Sequence, residues 1–182
     1  TSVRSYSKLS KKIVYRLVDE LADLDFVGRL GFYEINEPLT DNRIFDFVAY
    51  ATKKLPRANH ELITNGDLLT SNVLKKFHEC GLNRLFVSVY DDKIMQKALE
   101  LKNRKDGSAG ILEILDLING DFPDNRGGNI SCESARIPDH AINAPCERVH
   151  KILYVRPTGK VVACYSDFYE INVVGDVRNS TL

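Results

Sequence analysis

Apolar residues along this chain recur first at helical and then at strand spacing, in alternation. The first helical stripe lies in residues 8–23, where Ile13, Leu17 and Leu21 share one side. Short apolar runs of strand character separate the helical segments. The pattern predicts helices over 8–23, 42–54, 70–79 and 92–102, and strands over 30–35, 60–63 and 84–89. The run 110–118 fits either one more strand or a short helix.

Polar residues and a glycine mark the ends of these helices. Asp41 is placed to cap helix 42–54, and Thr70 or Ser71 to cap helix 70–79. Gly81 follows that helix, where a residue with a left-handed backbone commonly ends a helix. The local signals therefore agree with the apolar pattern.

Strands separated by helices predict an α/β fold with right-handed crossovers and a parallel sheet. An open doubly wound sheet and a closed or partial barrel both satisfy this order. In both architectures, functional residues collect at the carboxyl ends of the strands. Polar residues occupy those ends here: Asn36, Glu37, Thr64, Asn65 and the run Ser88–Tyr90.

The second part of the chain has a different pattern. Residues 119–145 are rich in Gly, Asn, Asp and Pro and are typical of a long loop or linker. After them, 151–155 and 160–163 predict a β-hairpin across the turn Pro157-Thr158-Gly159. A boundary near residue 130 therefore divides the chain into domains 1–130 and 131–182.

Composition narrows the classes of partner. The chain has 182 residues, with 25 Lys and Arg against 25 Asp and Glu. This even balance is evidence against a domain that binds nucleic acid through its phosphates. No apolar run approaches the roughly 20 residues that a membrane helix needs. The four cysteines of a helix-rich chain of this size favour a cytoplasmic protein with reduced thiols, used for metal binding or simply buried.

Two of the cysteines have a spacing that suits a metal centre. Cys146, Gly159 and Cys164 form the pattern C-x12-G-x4-C around the predicted hairpin. A hairpin brings its ends together, so both thiolates can face one metal. Two ligands do not complete a zinc site or an iron–sulfur cluster, and two buried structural thiols remain the alternative.

Four segments together resemble radical S-adenosylmethionine (SAM) enzymes. The run 32–39, FYEINEPL, resembles their "GEP" or "NEPL" segment, and 63–69, ITNGDLL, resembles their "TNG-LL" segment. Residues 83–89, NRLFVSV, are similar to the next strand of the family. Residues 146–182 resemble the start of a SPASM or twitch domain, which carries an auxiliary iron–sulfur cluster.

The resemblance implies a set of SAM-binding residues. Asn36 and Glu37 would hold the amino group of the methionine part of SAM, because a carboxylate suits an ammonium group. Asn65 and Ser88 would line the cofactor groove. Arg126 would pair with the SAM carboxylate, which a guanidinium matches in geometry. Cys146 and Cys164 would supply part of the ligands of the auxiliary cluster.

The same resemblance implies a fold and an activity. The fold would be a partial (β/α) barrel followed by the β-hairpin of an auxiliary-cluster domain. A four-iron four-sulfur cluster, whose three clustered cysteines are not matched in this sequence, would cleave SAM to a 5′-deoxyadenosyl radical that abstracts hydrogen from a small-molecule or sugar-like substrate. A flavodoxin or ferredoxin would supply electrons. The chain would be an incomplete piece of this oxidoreductase, inactive by itself.

Other functions remain open at this point. One alternative is a radical SAM maturase that modifies a peptide or protein. Another is a different α/β-barrel enzyme whose cysteines are structural. A third is a non-catalytic scaffold descended from such an enzyme. These alternatives differ in whether the full-length protein binds SAM and iron.

Overall fold

The chain folds into two units that each contain one β-sheet. The structure, a computed structural model, describes residues 7–118 and 144–182. The larger unit falls within Tyr15–Gly120, and the smaller one within Thr1–Val14 and Asp121–Leu182. The predicted domain boundary near residue 130 lies outside the described residues.

Four parallel strands of the larger unit pair in the order in which they occur along the chain. The helices and strands up to residue 118 are α1 (Lys11–Asp23), β1 (Arg29–Gly31), α2 (Ile44–Lys54), β2 (Asn59–Thr64), α3 (Ser71–Glu79), β3 (Arg84–Val89), α4 (Asp92–Lys102) and β4 (Leu112–Asp116). Two 3₁₀ helices, Pro38–Thr40 and Ser108–Ile111, lie between them. The predicted α/β class with a parallel sheet is confirmed, and the ambiguous run 110–118 contains a strand. Within residues 7–118 the sheet is open, and no closed barrel is seen.

The consecutive strand order determines where the helices pack. Crossovers between parallel strands are right-handed in nearly all proteins, so the connections from β1 to β4 lie on one face of the sheet. Side chains alternate between the two faces of a strand, and Leu85, Val87 and Val89 of β3 belong to the core. Buried members of this core are Ile44, Val48, Leu62, Leu69, Leu74, Phe77, Leu82, Leu85, Val87, Val89, Ile94, Ala98, Leu101, Ile111 and Leu112.

Helices α3 and α4 begin at side-chain caps. The Thr70 hydroxyl accepts a hydrogen bond from the backbone N–H of Val73 at 3.3 Å. The Asp91 carboxylate does the same for Ile94 at 2.9 Å. Such caps satisfy backbone donors that a helix leaves unpaired at its first turn. Gly81 has a φ of 82°, which confirms the left-handed position predicted after α3.

Two predicted boundaries are wrong for identifiable reasons. Strand β1 ends at Gly31, because the chain bends where the Asn36 side chain accepts a hydrogen bond from the N–H of Glu34 at 3.1 Å. Helix α2 begins at Ile44, and its first flanking residue, Arg43, makes no capping bond through its side chain. Asp41 instead accepts from the backbone N–H of Arg43 and pairs with its guanidinium.

The smaller unit contains an antiparallel sheet. Its strands are β5 (Tyr154–Val155), β6 (Lys160–Val162) and β7 (Val173–Asp176), in the order β5-β6-β7. A 3₁₀ helix, Glu147–His150, precedes them. The predicted hairpin is therefore confirmed as β5 and β6, whereas β7 was not predicted from the sequence.

Candidate functional site

The carboxyl ends of the parallel strands bring two separate loops together. Glu37 lies six positions after Gly31, the last residue of β1, and Asn65 directly follows β2. The register pairs Thr64 at the end of β2 with Val87 of β3, so the strands end at a common edge. The polar residues predicted at strand ends therefore lie on the side of the sheet where function collects in parallel α/β folds.

The carboxylate of Glu37 joins the two loops. Its Oε1 atom accepts hydrogen bonds from the backbone N–H of Leu39 at 3.0 Å and from the hydroxyl of Thr64 at 2.7 Å. Its Oε2 atom accepts from the backbone N–H of Asn65 at 2.8 Å. Hydrogen bonds to an ionised carboxylate are stronger than neutral ones. Glu37 therefore fixes the β1 loop to the end of β2.

The loop that follows β2 is also held by a side chain of helix α4. Lys97 of α4 donates to the carbonyl oxygens of Gly66 at 2.8 Å and Asp67 at 2.9 Å. The side chain of Asn65 accepts from the N–H of Asp67 at 3.0 Å and so shapes the turn. Gly66 has a φ of 82°, and an added Cβ would lie 2.9 Å from both Ile94 and Val87. The conformation of this loop therefore depends on the residue types at these positions.

Ser88 lies on the other face of β3 from the core. Its neighbours Val87 and Val89 pack in the core, and strand side chains alternate between faces. The Ser88 residue is 8% exposed, and its cross-strand partner is Leu115. Its hydroxyl makes no hydrogen bond to another residue of the described part of the chain. A buried hydroxyl in this position is chemically available to a ligand.

The structure brings only some of the predicted cofactor residues into direct contact. Glu37 and Asn65 are hydrogen-bonded, and Asn36 precedes Glu37 in an exposed bend. No hydrogen bond joins Ser88 to these three residues in the range 7–118. Arg126 lies outside the described residues, as does Cys132.

A buried carboxylate on the sheet was not identified from the sequence. Glu61 of β2 is 1% exposed, accepts from the Asn59 side chain at 3.1 Å, and pairs with Arg84 and, at 3.6 Å, with Arg29. Burial raises the pKa of the nearby Tyr33 hydroxyl, against the opposing charge of Arg29. A charged residue inside an apolar strand was the signal that could have found this cluster.

The predicted metal ligands lie in the smaller unit. Cys146 precedes the 3₁₀ helix Glu147–His150, Cys164 follows β6, and both are exposed free thiols. Among the described residues no group of three or more His, Cys, Asp or Glu side chains could hold a metal ion. Residues 144–182 therefore provide two thiols that could serve as ligands, Cys146 and Cys164.

The loop after Cys164 has its own anchors. The Asp167 carboxylate accepts from the backbone N–H groups of Ile171 at 2.9 Å and Asn172 at 2.7 Å. Burial acts to raise the pKa of Asp167, but these bonds and the charge of Arg156 lower it below its usual value. Arg156 is fully buried and donates to the carbonyl oxygens of Tyr165 and Asp167. Asp167 thus orders the segment between β6 and β7.

Comparison with known proteins gives one similar sequence of described activity. The chain is 29% identical over 165 residues to the S-adenosyl-L-methionine-dependent 2-deoxy-scyllo-inosamine dehydrogenase of Niallia circulans. The match covers 88% of this chain and 63% of the relative, so the chain spans less than two thirds of that protein. No family model matches the chain.

Two solved structures share the fold. The crystal structure of BtrN in complex with AdoMet and 2-DOIA matches 99% of this chain and 70% of its own, with a TM-score of 0.78 and 24% identity. The crystal structure of selenomethionine BtrN in an open conformation matches 94% of this chain and 64% of its own, with a TM-score of 0.68 and 24% identity. The described residues therefore have a fold similar to that of BtrN.

These findings correct the family assignment drawn from the sequence. The predicted membership of radical SAM enzymes with a C-terminal SPASM or twitch auxiliary-cluster domain is wrong in that form. No family model supports it, and the described residues lack a metal-binding group. The likeness that replaces it is to a SAM-dependent dehydrogenase. Separately, none of the helices in the described ranges is long and apolar enough to cross a membrane.

Proposed function

We propose that this chain is part of a SAM-dependent dehydrogenase that oxidises a hydroxyl group of a small, sugar-like molecule such as an aminocyclitol. The observation that supports this proposal is the 29% identity, over 88% of the chain, to a dehydrogenase of 2-deoxy-scyllo-inosamine. Polar side chains at the carboxyl ends of the strands are consistent with a cofactor site there.

The chemistry of the Glu37 carboxylate fits the amino group of SAM. An ionised carboxylate has about four positions for hydrogen-bond donors, two on each oxygen. Oε1 accepts from two protein donors and Oε2 from one. One position on Oε2 is therefore available for an ammonium N–H, which is a charged donor of the kind that carboxylates bind most strongly.

The other predicted cofactor residues take complementary roles in this proposal. Asn36 and Asn65 flank the ammonium site, and the Ser88 hydroxyl bonds the ribose or the carboxylate of SAM. Arg126 pairs with the SAM carboxylate. The protein binds SAM, orients it towards the substrate and excludes water, because the cofactor carries the difficult chemistry.

SAM would serve as a radical source in this proposal: reductive cleavage at a four-iron four-sulfur cluster would supply a radical that abstracts hydrogen from the substrate. The described residues do not contain three ligands for such a cluster, so no step is assigned to them through it. We propose Cys146 and Cys164 as ligands of a metal centre whose remaining ligands come from outside the described residues.

We also propose a fold, a compartment and an electron donor for the full-length protein. The consecutive order of β1 to β4, with the crossovers on one face, supports a partial (β/α) barrel. The free thiols of Cys80, Cys146 and Cys164 support a reducing compartment such as the cytoplasm. A flavodoxin or ferredoxin is the proposed source of electrons.

Binding of SAM to the full-length protein tests the proposal first. Isothermal titration under anaerobic conditions should give saturable heat with SAM. Incubation with SAM, a reductant and 2-deoxy-scyllo-inosamine should then yield 5′-deoxyadenosine and a product lighter by two hydrogens. Absence of SAM binding would overturn the proposal. Binding of SAM without oxidation of this compound or of related cyclic polyols would contradict the substrate class alone.

A further inference from the structure

Thr64 is a buried hydroxyl residue to which the proposed function gives no role. It is the last residue of β2 and is 1% exposed. Its hydroxyl donates to Oε1 of Glu37 at 2.7 Å and accepts from the backbone N–H of Gly66 at 3.2 Å. The N–H of Gly66 occupies an acceptor position of the hydroxyl, so the single hydroxyl hydrogen is directed to Glu37.

The consequence for Glu37 is an unequal use of its two oxygens. Thr64 and the N–H of Leu39 both donate to Oε1, whereas only the N–H of Asn65 donates to Oε2. With two donors on Oε1, the carboxylate presents its remaining acceptor position on Oε2. The hydroxyl of Thr64 therefore determines which oxygen faces a ligand and how the carboxylate is rotated.

We infer that Thr64 is a positioning residue for the amino group of SAM, which it affects through Glu37 and not by contact. This inference rests on the proposed function, because it concerns the same site. Removal of the hydroxyl leaves one backbone donor on each carboxylate oxygen and so holds the rotation of the carboxylate less firmly. The ammonium group of SAM then loses a preorganised acceptor, while the adenosine part of the cofactor keeps its contacts.

Comparing the binding of two ligands distinguishes this positioning role from a purely structural one. SAM carries the amino group, and 5′-methylthioadenosine keeps the adenosine and the sulfur but lacks the amino and carboxylate groups. In the full-length protein, Thr64→Val should weaken SAM binding about tenfold, which corresponds to a lost hydrogen bond to a charged group. Its affinity for 5′-methylthioadenosine should change by no more than about twofold. Thr64→Ser, which keeps the hydroxyl, should bind both ligands as the unchanged protein does.

Thr52→Val is the matched control. The Thr52 hydroxyl also donates within the protein, to the carbonyl oxygen of Cys80 at 2.7 Å with that of Ala49 at 3.2 Å as a second acceptor, but it has no bond to Glu37. Its valine variant should bind SAM normally. If Thr64→Val does not fold, Thr64→Cys makes the same comparison, because a thiol is a much weaker donor.

The outcomes distinguish the two proposals. A selective loss of SAM binding, restored by serine, supports the positioning role. An equal loss for both ligands, or none for either, overturns that role and leaves the proposed function standing. If the unchanged protein binds no SAM, the proposed function fails, and the role of Thr64 fails with it.

Discussion

The carboxylate of Glu37 accepts a hydrogen bond from the backbone N–H of Asn65 at 2.8 Å, across 28 positions of sequence. This bond and the one from Thr64 connect the loop after β1 to the end of β2. The candidate site is thus held by long-range hydrogen bonds to a single charged side chain. Its integrity should depend on the charge of Glu37 as well as on its shape.

Replacement of Glu37 by Gln tests that dependence. The amide nitrogen of glutamine is a donor, so at least one N–H or O–H that now faces the carboxylate loses its acceptor. We expect the free energy of unfolding to fall by about 1–3 kcal/mol, the usual cost of an unsatisfied donor. Urea denaturation followed by circular dichroism measures it. Glu100→Gln, at an exposed position of α4, is the control and should change stability by less than about 0.5 kcal/mol.

Gly66→Ala should disrupt the loop between β2 and α3. The φ of 82° is unfavourable for alanine, and its Cβ would lie 2.9 Å from Ile94 and Val87 in the core. Together these effects should lower the free energy of unfolding by about 2–4 kcal/mol.

Gly110→Ala provides the comparison for this variant. Gly110 is the exposed residue of the 3₁₀ helix Ser108–Ile111, and an added Cβ meets no atom within 4 Å. Its thermal midpoint should stay the same or rise slightly, because alanine restricts the unfolded chain. Equal thermal midpoints for Gly66→Ala and Gly110→Ala would show that the Gly66 turn is not constrained as described.

Asp106 should give the larger unit an acid-dependent stability. Hydrogen bonds from Ser108 and Arg104 lower the pKa of Asp106 to about 2. Because the carboxyl is ionised more readily in the folded than in the unfolded state, its contribution is present above its unfolded pKa, about 3.9. The contribution is lost as the pH falls through about 2. Urea midpoints measured from pH 6 to pH 2 should therefore converge for the unchanged protein and Asp106→Asn.

Ser108→Ala tests whether the Ser108 hydroxyl is what lowers the pKa of Asp106. The Ser108 hydroxyl donates to Oδ1 of Asp106 at 2.6 Å and is its largest lowering contact. Its removal should raise the pKa of Asp106 towards the unfolded value, so the loss of stability on acidification should be smaller and should be complete at a higher pH. Identical pH profiles for Ser108→Ala and the unchanged protein would contradict this assignment.

How well the sequence predicts a structural feature depends on how far apart in the chain its interacting residues lie. Strand β3 was predicted at 84–89 and found at Arg84–Val89, because its apolar run and flanking turns are local signals. Strand β7 was missed because its valines, Val173 and Val174, are both exposed and follow no alternating pattern. The bonds of Glu37 to Thr64 and Asn65 depend on strand register, which local patterns do not specify. Residue types at strand ends therefore predicted a candidate site at this edge of the sheet, but not the hydrogen bonds that hold its loops together.

The two exposed cysteines of the smaller unit lead to the last prediction. Cys146 and Cys164 are free thiols on either side of the β5–β6 hairpin, and the thiolate is the form that binds metal. If they are ligands, Cys146→Ala together with Cys164→Ala should lower the iron bound per full-length protein, measured by elemental analysis after anaerobic reconstitution. Cys80→Ala is the control, because Cys80 is half-buried at the end of α3 and burial raises the pKa of its thiol. Unchanged iron in the double variant would exclude both thiols as ligands. Equal loss in the double variant and in Cys80→Ala would attribute the effect to misfolding, because a buried thiol with a raised pKa is a poor ligand.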